Sequence, residues 1–221
     1  MNNLVDHDIN KTETTKAYYD HLSRWYDLLA GQAEKKCKEL GLELLNAHPG
    51  ETILEIGFGT GHCLQSLARS VGNTGEVHGV DLSSGMLQVA QSRLQEAGLA
   101  DKVELRQGDA LQLPYENEFF DALYMSFTLE LFAFSEIPIL LKECKRVLSS
   151  QGRMCIVCMS KRDTEGLMIK LYQWVHQKWP AYIDCRPIDA HSEIEQVGFH
   201  IEQRIQMSLF GLPVDIILAR P

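Results

Sequence analysis

The stretch that decides the fold runs from Ile53 to Gly61 and reads ILEIGFGTG. It begins within a short aliphatic segment, Thr52 to Ile56, which is typical of a buried parallel strand. Three glycines then follow at alternate positions. Because glycine has no side chain, a turn built from them lets a ligand lie directly against the backbone. The stretch therefore predicts a strand and a turn that hold a cofactor.

The glycine spacing separates two classes of cofactor. Dinucleotide-binding turns have the spacing G-x-G-x-x-G, whereas Gly57, Gly59 and Gly61 follow G-x-G-x-G. Glu55 lies two residues before the first glycine, where its carboxylate repels a pyrophosphate and suits a cationic ligand. S-adenosylmethionine carries an ammonium, a sulfonium and a carboxylate that backbone N–H groups can hold. The turn has no Lys or Arg, so it is not a P-loop, and these features favour S-adenosylmethionine.

A second acid indicates a nucleoside ligand. The segment EVHGVD predicts a strand that ends on Asp81, and the numbering (81 − 61) places this acid 20 residues after Gly61. A carboxylate at this point can accept hydrogen bonds from both ribose hydroxyls. Nicotinamide dinucleotides also contain an adenosine ribose, so Asp81 by itself does not distinguish the two cofactors. Glu55 and the glycine spacing make that distinction.

Together these motifs resemble those of class I S-adenosylmethionine-dependent methyltransferases, and the resemblance extends over roughly residues 18–220. It implies a set of cofactor-binding residues at the ends of four strands: Glu55, Gly57, Phe58, Gly59 and Gly61, then Asp81, Leu82 and Met86, then Gly108, Asp109 and Ala110, and finally Ser126 and Phe127. In this pattern the third acid, Asp109, meets the adenine amino group. S-adenosylhomocysteine is the implied product of the cofactor.

The resemblance also suggests a role for aromatic residues near the N-terminus. In many relatives an N-terminal helix closes over the cofactor, so Tyr19 and Tyr26 could shield the sulfonium. The alternative is that these rings only dock the helix on the sheet. The chain is most similar to the branch that contains quinone C-methyltransferases and bacterial phospholipid N-methyltransferases. The glycine-leucine-arginine-asparagine stretch of the quinone enzymes is absent after the fourth strand, where this chain reads SFTLEL.

The alternation of strands and helices predicts a Rossmann-like, doubly wound α/β sheet of seven strands. Its predicted elements include a helix from His62 to Val71 and strands from Phe120 to Ser126 and from Arg153 to Met159. We expect the sheet to be mostly parallel with an antiparallel last strand, and to carry helices on both faces. A chain of 221 residues with 45% hydrophobic content suits one methyltransferase domain, 1–221. This domain would include an N-terminal helical cap at about 12–46 and a helical insertion at about 161–187.

Charge and composition exclude several classes of function. A net charge of −9 and a pI near 5.4 argue against a nucleic-acid partner, which needs a basic surface. No apolar run reaches the length of a membrane span and the N-terminus is too polar for a signal peptide, so we expect a cytoplasmic protein. Cys155 and Cys158 have CxxC spacing, but they fall in a predicted strand where they would point to opposite faces. No metal site is therefore predicted.

The acceptor of the methyl group is the least determined part of the function. The insertion at about 161–187 has an amphipathic helical pattern, which suits packing on its own domain, a lid over an apolar substrate, or contact with a membrane surface. We expect a small apolar or lipid-like acceptor, with the oligomeric state left open. Glu130 and His191 are weak candidates for a general base, and the simpler interpretation makes Glu130 a solvated carboxylate and His191 a surface residue. A catalytically silent cofactor-binding subunit and an NAD(P)-dependent oxidoreductase remain as alternatives.

Overall fold

The computed structural model describes residues 31–161, 187–209 and 211–221, with side chains described from residue 34 onward. Its α-helices are α1 Gly31–Leu45, α2 His62–Val71, α3 Ser84–Glu96, α4 Ile137–Val147 and α5 Ala190–Gln196. Its strands are β1 Thr52–Ile56, β2 Glu76–Asp81, β3 Val103–Gln107, β4 Phe120–Ser126, β5 Leu148–Met159, β6 His200–Leu209 and β7 Leu212–Arg220. Short 3₁₀ turns occur at Ala100–Lys102 and Leu129–Leu131. Tyr19, Tyr26 and nearly all of the predicted insertion lie outside the described residues.

The strands form one seven-stranded sheet in the order β3-β2-β1-β4-β5-β7-β6. The strands β1 to β5 pair in parallel, whereas β7 runs antiparallel to both β5 and β6. This arrangement confirms the predicted fold. The main difference lies in β5, which begins at Leu148 and not at the predicted Arg153. Phe120 of β4 already pairs with Leu148, and an irregularity in the register then separates this pair from the regular ladder.

Helices cover both faces of the sheet and bury a separate apolar layer on each. One layer contains side chains from α1, α2 and α3, and the other contains side chains from α4 and α5. Cys155 belongs to the first layer and Cys158 to the second, which confirms that the CxxC pair points to opposite faces. Both thiols are free and buried, and burial raises the pKa of Cys155 to about 12. They are core side chains on either side of one strand.

The close approach of α1 to the sheet depends on a glycine. A Cβ atom on Gly41 would lie 2.5 Å from Cγ2 of Val157 and 3.0 Å from the hydroxyl oxygen of Tyr124. The same hydroxyl donates a hydrogen bond of 2.9 Å to the carbonyl oxygen of Lys38. The absence of a side chain at Gly41 and the hydrogen bond from Tyr124 together set the distance between α1 and the strands β4 and β5. Among the helices in the described ranges, none has the length and apolarity needed to cross a membrane.

Candidate functional site

A cleft of about 1240 Å³, part of it open to solvent, lies where the parallel strands β1 to β4 end. This is the edge at which open α/β sheets usually bind ligands. The predicted cofactor residues that line it are Glu55, Gly57, Phe58, Gly59, Asp81, Leu82, Met86, Gly108, Asp109, Ala110, Ser126 and Phe127. Gly61 does not line the cleft but caps the N-terminus of α2. The structure thus brings together segments that are far apart in the sequence, while their contacts with a cofactor stay predictions.

The glycine turn has a conformation that other residues rarely adopt. Gly57, Gly59 and Gly61 have φ angles of 70°, 52° and 82°. A Cβ atom on Gly57 would also clash with Oγ1 of Thr128, which lies two residues after the end of β4. That hydroxyl donates a hydrogen bond to the carbonyl oxygen of Ser126 at 3.0 Å. Glycine at position 57 is therefore required by the neighbouring segment as well as by the backbone angle.

Asp81 is held rigidly between the glycine turn and the start of α3. Its Oδ2 accepts a hydrogen bond from the N–H of Gly59 at 2.8 Å, and its Oδ1 accepts one from the N–H of Ser83 at 2.9 Å. Ser83 in turn caps α3, since its hydroxyl oxygen accepts from the N–H of Met86 at 3.1 Å. A carboxylate can accept several hydrogen bonds, and a ligand hydroxyl is one possible donor to it. The aspartate is thus oriented before any ligand binds.

The loop that carries Asp109 is held in place by hydrogen bonds within the loop and from α4. Asp109 Oδ1 accepts a hydrogen bond from the N–H of Leu111 at 2.9 Å. Farther along, Glu143 of α4 accepts from the N–H of Leu113 at 3.0 Å, and Arg146 donates to the carbonyl oxygen of Leu113 at 3.0 Å. The hydrogen bonds from Arg146 lower the pKa of Glu143. The role of Glu143 and Arg146 could not be predicted from the sequence, because residues three positions apart on a helix often form a solvated ion pair.

Glu55 and Lys38 place two ionisable side chains at the end of the cleft near β1. Glu55 is completely buried, and its Oε2 has no hydrogen-bond partner among the described residues. Burial raises the pKa of Glu55 well above its ordinary value, with Lys38 opposing the shift and Asp81 adding to it. Burial disfavours the charge on Lys38, but the ion pair with Glu34, 2.7 Å from Nζ to Oε2, outweighs it and raises the pKa of the ammonium. Lys38 lines the cleft, and the sequence patterns did not point to it.

The segment after β4 gives the cleft an apolar wall, formed by Phe127, Leu131, Phe132 and Ala133. Of these residues only Phe127 was predicted to bind the cofactor. Phe127 at the end of β4 has a φ angle of 52°, which is rare for an aromatic residue and turns the chain sharply. The lining residues that were not predicted to bind the cofactor are Lys38, Thr60, Cys63, Val80, Ser83, Leu111, Thr128, Leu131, Phe132, Ala133 and Glu136. Most lie in turns whose path no sequence period reveals.

The interpretation of Glu130 as a solvated carboxylate is wrong. Its side chain is completely buried, and its Oε1 accepts a hydrogen bond from the N–H of Met159 at 3.0 Å. Burial raises the pKa of Glu130 to about 8, against the opposing hydrogen bonds from backbone N–H groups. Glu130 lies beside the cleft without lining it. His191 also lies outside the cleft, partly exposed on α5, with its Nδ1 3.4 Å from Oε2 of Glu195. Neither candidate for a general base therefore lines the cleft.

Comparison with known proteins agrees with this architecture. Residues 53–152, which contain the glycine turn, Asp81 and Asp109, match the methyltransferase domain family. The solved structure of a SAM-dependent methyltransferase from Aquifex aeolicus superposes with a TM-score of 0.65 at 22% identity, and the match covers 82% of this chain and 88% of that one. The sheet and the family match together confirm the resemblance to class I S-adenosylmethionine-dependent methyltransferases.

Two sequence relatives carry more specific names. The ubiquinone/menaquinone biosynthesis C-methyltransferase UbiE of Pseudomonas fluorescens is 34% identical over 71% of this chain and 59% of its own length. The 2-phytyl-1,4-naphtoquinone methyltransferase of Trichormus variabilis is 35% identical over 63% of this chain and 58% of its own length. The chain therefore spans less than two thirds of the length of these relatives.

Proposed function

We propose that this protein transfers a methyl group from S-adenosylmethionine to a carbon atom of a small hydroxylated aromatic acceptor of the quinone type. The observation that carries the donor assignment is the cleft that is lined by Glu55 of β1, Asp81 at the end of β2 and Asp109 after β3, together with the glycine turn. This arrangement suits a cationic nucleoside and opposes a pyrophosphate. The names of the two sequence relatives and the apolar wall of the cleft support the acceptor class.

The donor, when bound, supplies a methyl group on a positively charged sulfur, so the transfer itself is an in-line displacement on an activated carbon. The protein contributes alignment and the exclusion of water. Asp81 and the glycine turn hold the nucleoside, while Phe127, Leu131 and Phe132 form a wall against which an apolar acceptor can pack. If the phenolic acceptor binds already ionised, its ring carbon can take the methyl group without a general base for this first step. The proton on that carbon is then lost to water as the ring becomes aromatic again.

Binding measurements test the donor assignment first. Calorimetry with S-adenosylhomocysteine and with NADH distinguishes a methyltransferase site from a dinucleotide site. We expect the first ligand to bind and the second not to. Asp81→Asn should weaken S-adenosylhomocysteine binding at least tenfold, since one carboxylate oxygen becomes a donor, whereas the exposed Asp101→Asn should not. Binding of NADH alone would refute the proposal.

Turnover distinguishes an active enzyme from a silent subunit. The protein should release S-adenosylhomocysteine when a panel of quinols, simple phenols and phospholipids is offered with the donor, and the quinols should give the highest rate. Mass spectrometry of the product then identifies whether carbon or oxygen has been methylated. Binding of the donor without turnover of any acceptor would favour a silent subunit, and turnover of phospholipids alone would replace the quinone assignment.

A further inference from the structure

The side of the cleft beyond β4 carries a single charged residue. After the end of β4, the described residues that line the cleft are Phe127, Thr128, Leu131, Phe132, Ala133 and Glu136. The acids predicted to bind the nucleoside, Asp81 and Asp109, belong to β2 and to the loop after β3, and β1 separates these strands from β4. A second ligand that meets the donor in this cleft therefore packs against the segment after β4. In that segment Glu136 alone brings a charge to the lining.

The carboxylate of Glu136 is held at the edge of the apolar wall. Its Oε2 accepts a hydrogen bond from the N–H of Ala133 at 2.7 Å, and its own N–H donates to the carbonyl oxygen of Ala133 at 2.9 Å. These two bonds close a tight loop at the start of α4. The residue is partly exposed, and its Oε1 has no hydrogen-bond partner among the described residues. One carboxylate oxygen thus holds the loop while the other stays available to a ligand.

The polar groups of this wall suit a ligand that donates a hydrogen bond. The hydroxyl of Thr128 already donates its proton to the carbonyl oxygen of Ser126 at 3.0 Å. A carboxylate accepts hydrogen bonds and donates none, so Glu136 attracts a hydroxyl group and offers nothing to a carbonyl or ether oxygen. Small-molecule sites are usually of this kind, mostly apolar with a few polar groups that orient the ligand. The wall therefore distinguishes acceptors by whether they carry a hydroxyl proton.

We infer that Glu136 is a specificity-determining residue that binds a protonated hydroxyl group of the acceptor, so that the site prefers a quinol to the corresponding oxidised quinone. The inference rests on the proposed function, because it assumes that the acceptor packs on the wall after β4. A quinone would place a carbonyl oxygen against the carboxylate, where the two oxygens repel each other. The charge of Glu136 also keeps the bound hydroxyl protonated. A quinol has a second hydroxyl, which can ionise away from Glu136 and activate the ring.

Two probes that differ in one hydroxyl proton test this role. They are 1-naphthol and its methyl ether, each titrated by calorimetry into the protein saturated with S-adenosylhomocysteine. We expect the wild type to bind the naphthol at least tenfold more tightly than the ether. In Glu136→Gln this ratio should fall below threefold, because the amide oxygen can still accept from Ala133 while its NH₂ group can donate to either probe. The control Glu116→Gln removes an exposed charge outside the cleft and should keep the ratio of the wild type.

A purely structural role for Glu136 gives a different result. If the side chain only holds the loop, Glu136→Gln and Glu136→Ala should weaken both probes equally, and an unchanged ratio of affinities would overturn the inference. Equal affinity of the wild type for the two probes, or no binding of either, would overturn it as well. In turnover of a quinol, Glu136→Gln should raise the KM of the acceptor at least tenfold and keep S-adenosylhomocysteine affinity within threefold of the wild type. If the folded wild type does not bind S-adenosylhomocysteine, the proposed function itself fails.

Discussion

The buried carboxyl group of Glu130 should make the stability of this protein depend on pH. In the folded protein its pKa is raised from 4.5 to about 8, mainly by burial. The unfolded chain therefore loses this proton at a lower pH than the folded protein does. Linkage then requires the free energy of unfolding to fall as the pH rises between these two values. At 1.36 kcal/mol for each pKa unit, the contribution of Glu130 falls by about 4 kcal/mol between pH 5 and pH 9.

The substitution that isolates this contribution is Glu130→Gln. An amide has nearly the same shape and can still accept the hydrogen bond from the N–H of Met159, but it does not titrate. Urea unfolding at pH 5, 6, 7, 8 and 9, followed by circular dichroism, gives the free energy of unfolding of both proteins. Taking the difference between them cancels the other titrating groups. We expect the variant to gain stability relative to the wild type with rising pH, by about 4 kcal/mol over the range.

A control variant at the protein surface shows which part of the pH effect comes from the burial of Glu130. Glu96→Gln makes the same substitution at an exposed carboxylate at the end of α3 and serves as the control. If the difference between Glu130→Gln and the wild type varies with pH no more than the difference for this control, the buried carboxyl group does not titrate as the structure indicates. A difference that changes in the opposite direction would mean that Glu130 is ionised and stabilised in the folded protein.

Three further predictions follow from backbone geometry and from the α4 ion pair. Gly57→Ala should cost more than about 2 kcal/mol of stability and abolish S-adenosylhomocysteine binding, because it adds a steric clash to an unfavourable φ angle. At Gly59 a Cβ atom would have nothing within 4 Å, so Gly59→Ala should cost only about 1 kcal/mol. Thermal unfolding of the two variants measures this difference. Arg146→Met should free the loop after Asp109 and weaken S-adenosylhomocysteine binding roughly tenfold, with partial recovery in Arg146→Lys, which calorimetry can measure. Gly41→Ala should destabilise the protein by about 1–3 kcal/mol through the contact with β5; an unchanged unfolding midpoint would show that α1 can shift.

Much of the fold was predictable because it depends on local patterns. The predicted bounds of β2, α2 and β4 agree with the structure, since apolar residues of the right period lie between clear turn signals there. The early start of β5 was not predictable. Its first residue pairs with Phe120 across an irregular register, which depends on the neighbouring strand and not on the sequence of β5 alone.

The sequence by itself determined the glycine turn and the acids at the strand ends, because each follows directly from its own strand and needs a particular residue type. Only the tertiary structure decided the surroundings of these residues. It brings Lys38 of α1 beside Glu55, and it turns Glu130 inward to the end of β5. The physical reason is that burial and charge proximity arise between segments distant in the sequence. A carboxylate that looks solvated in the chain can therefore become a buried acid in the fold.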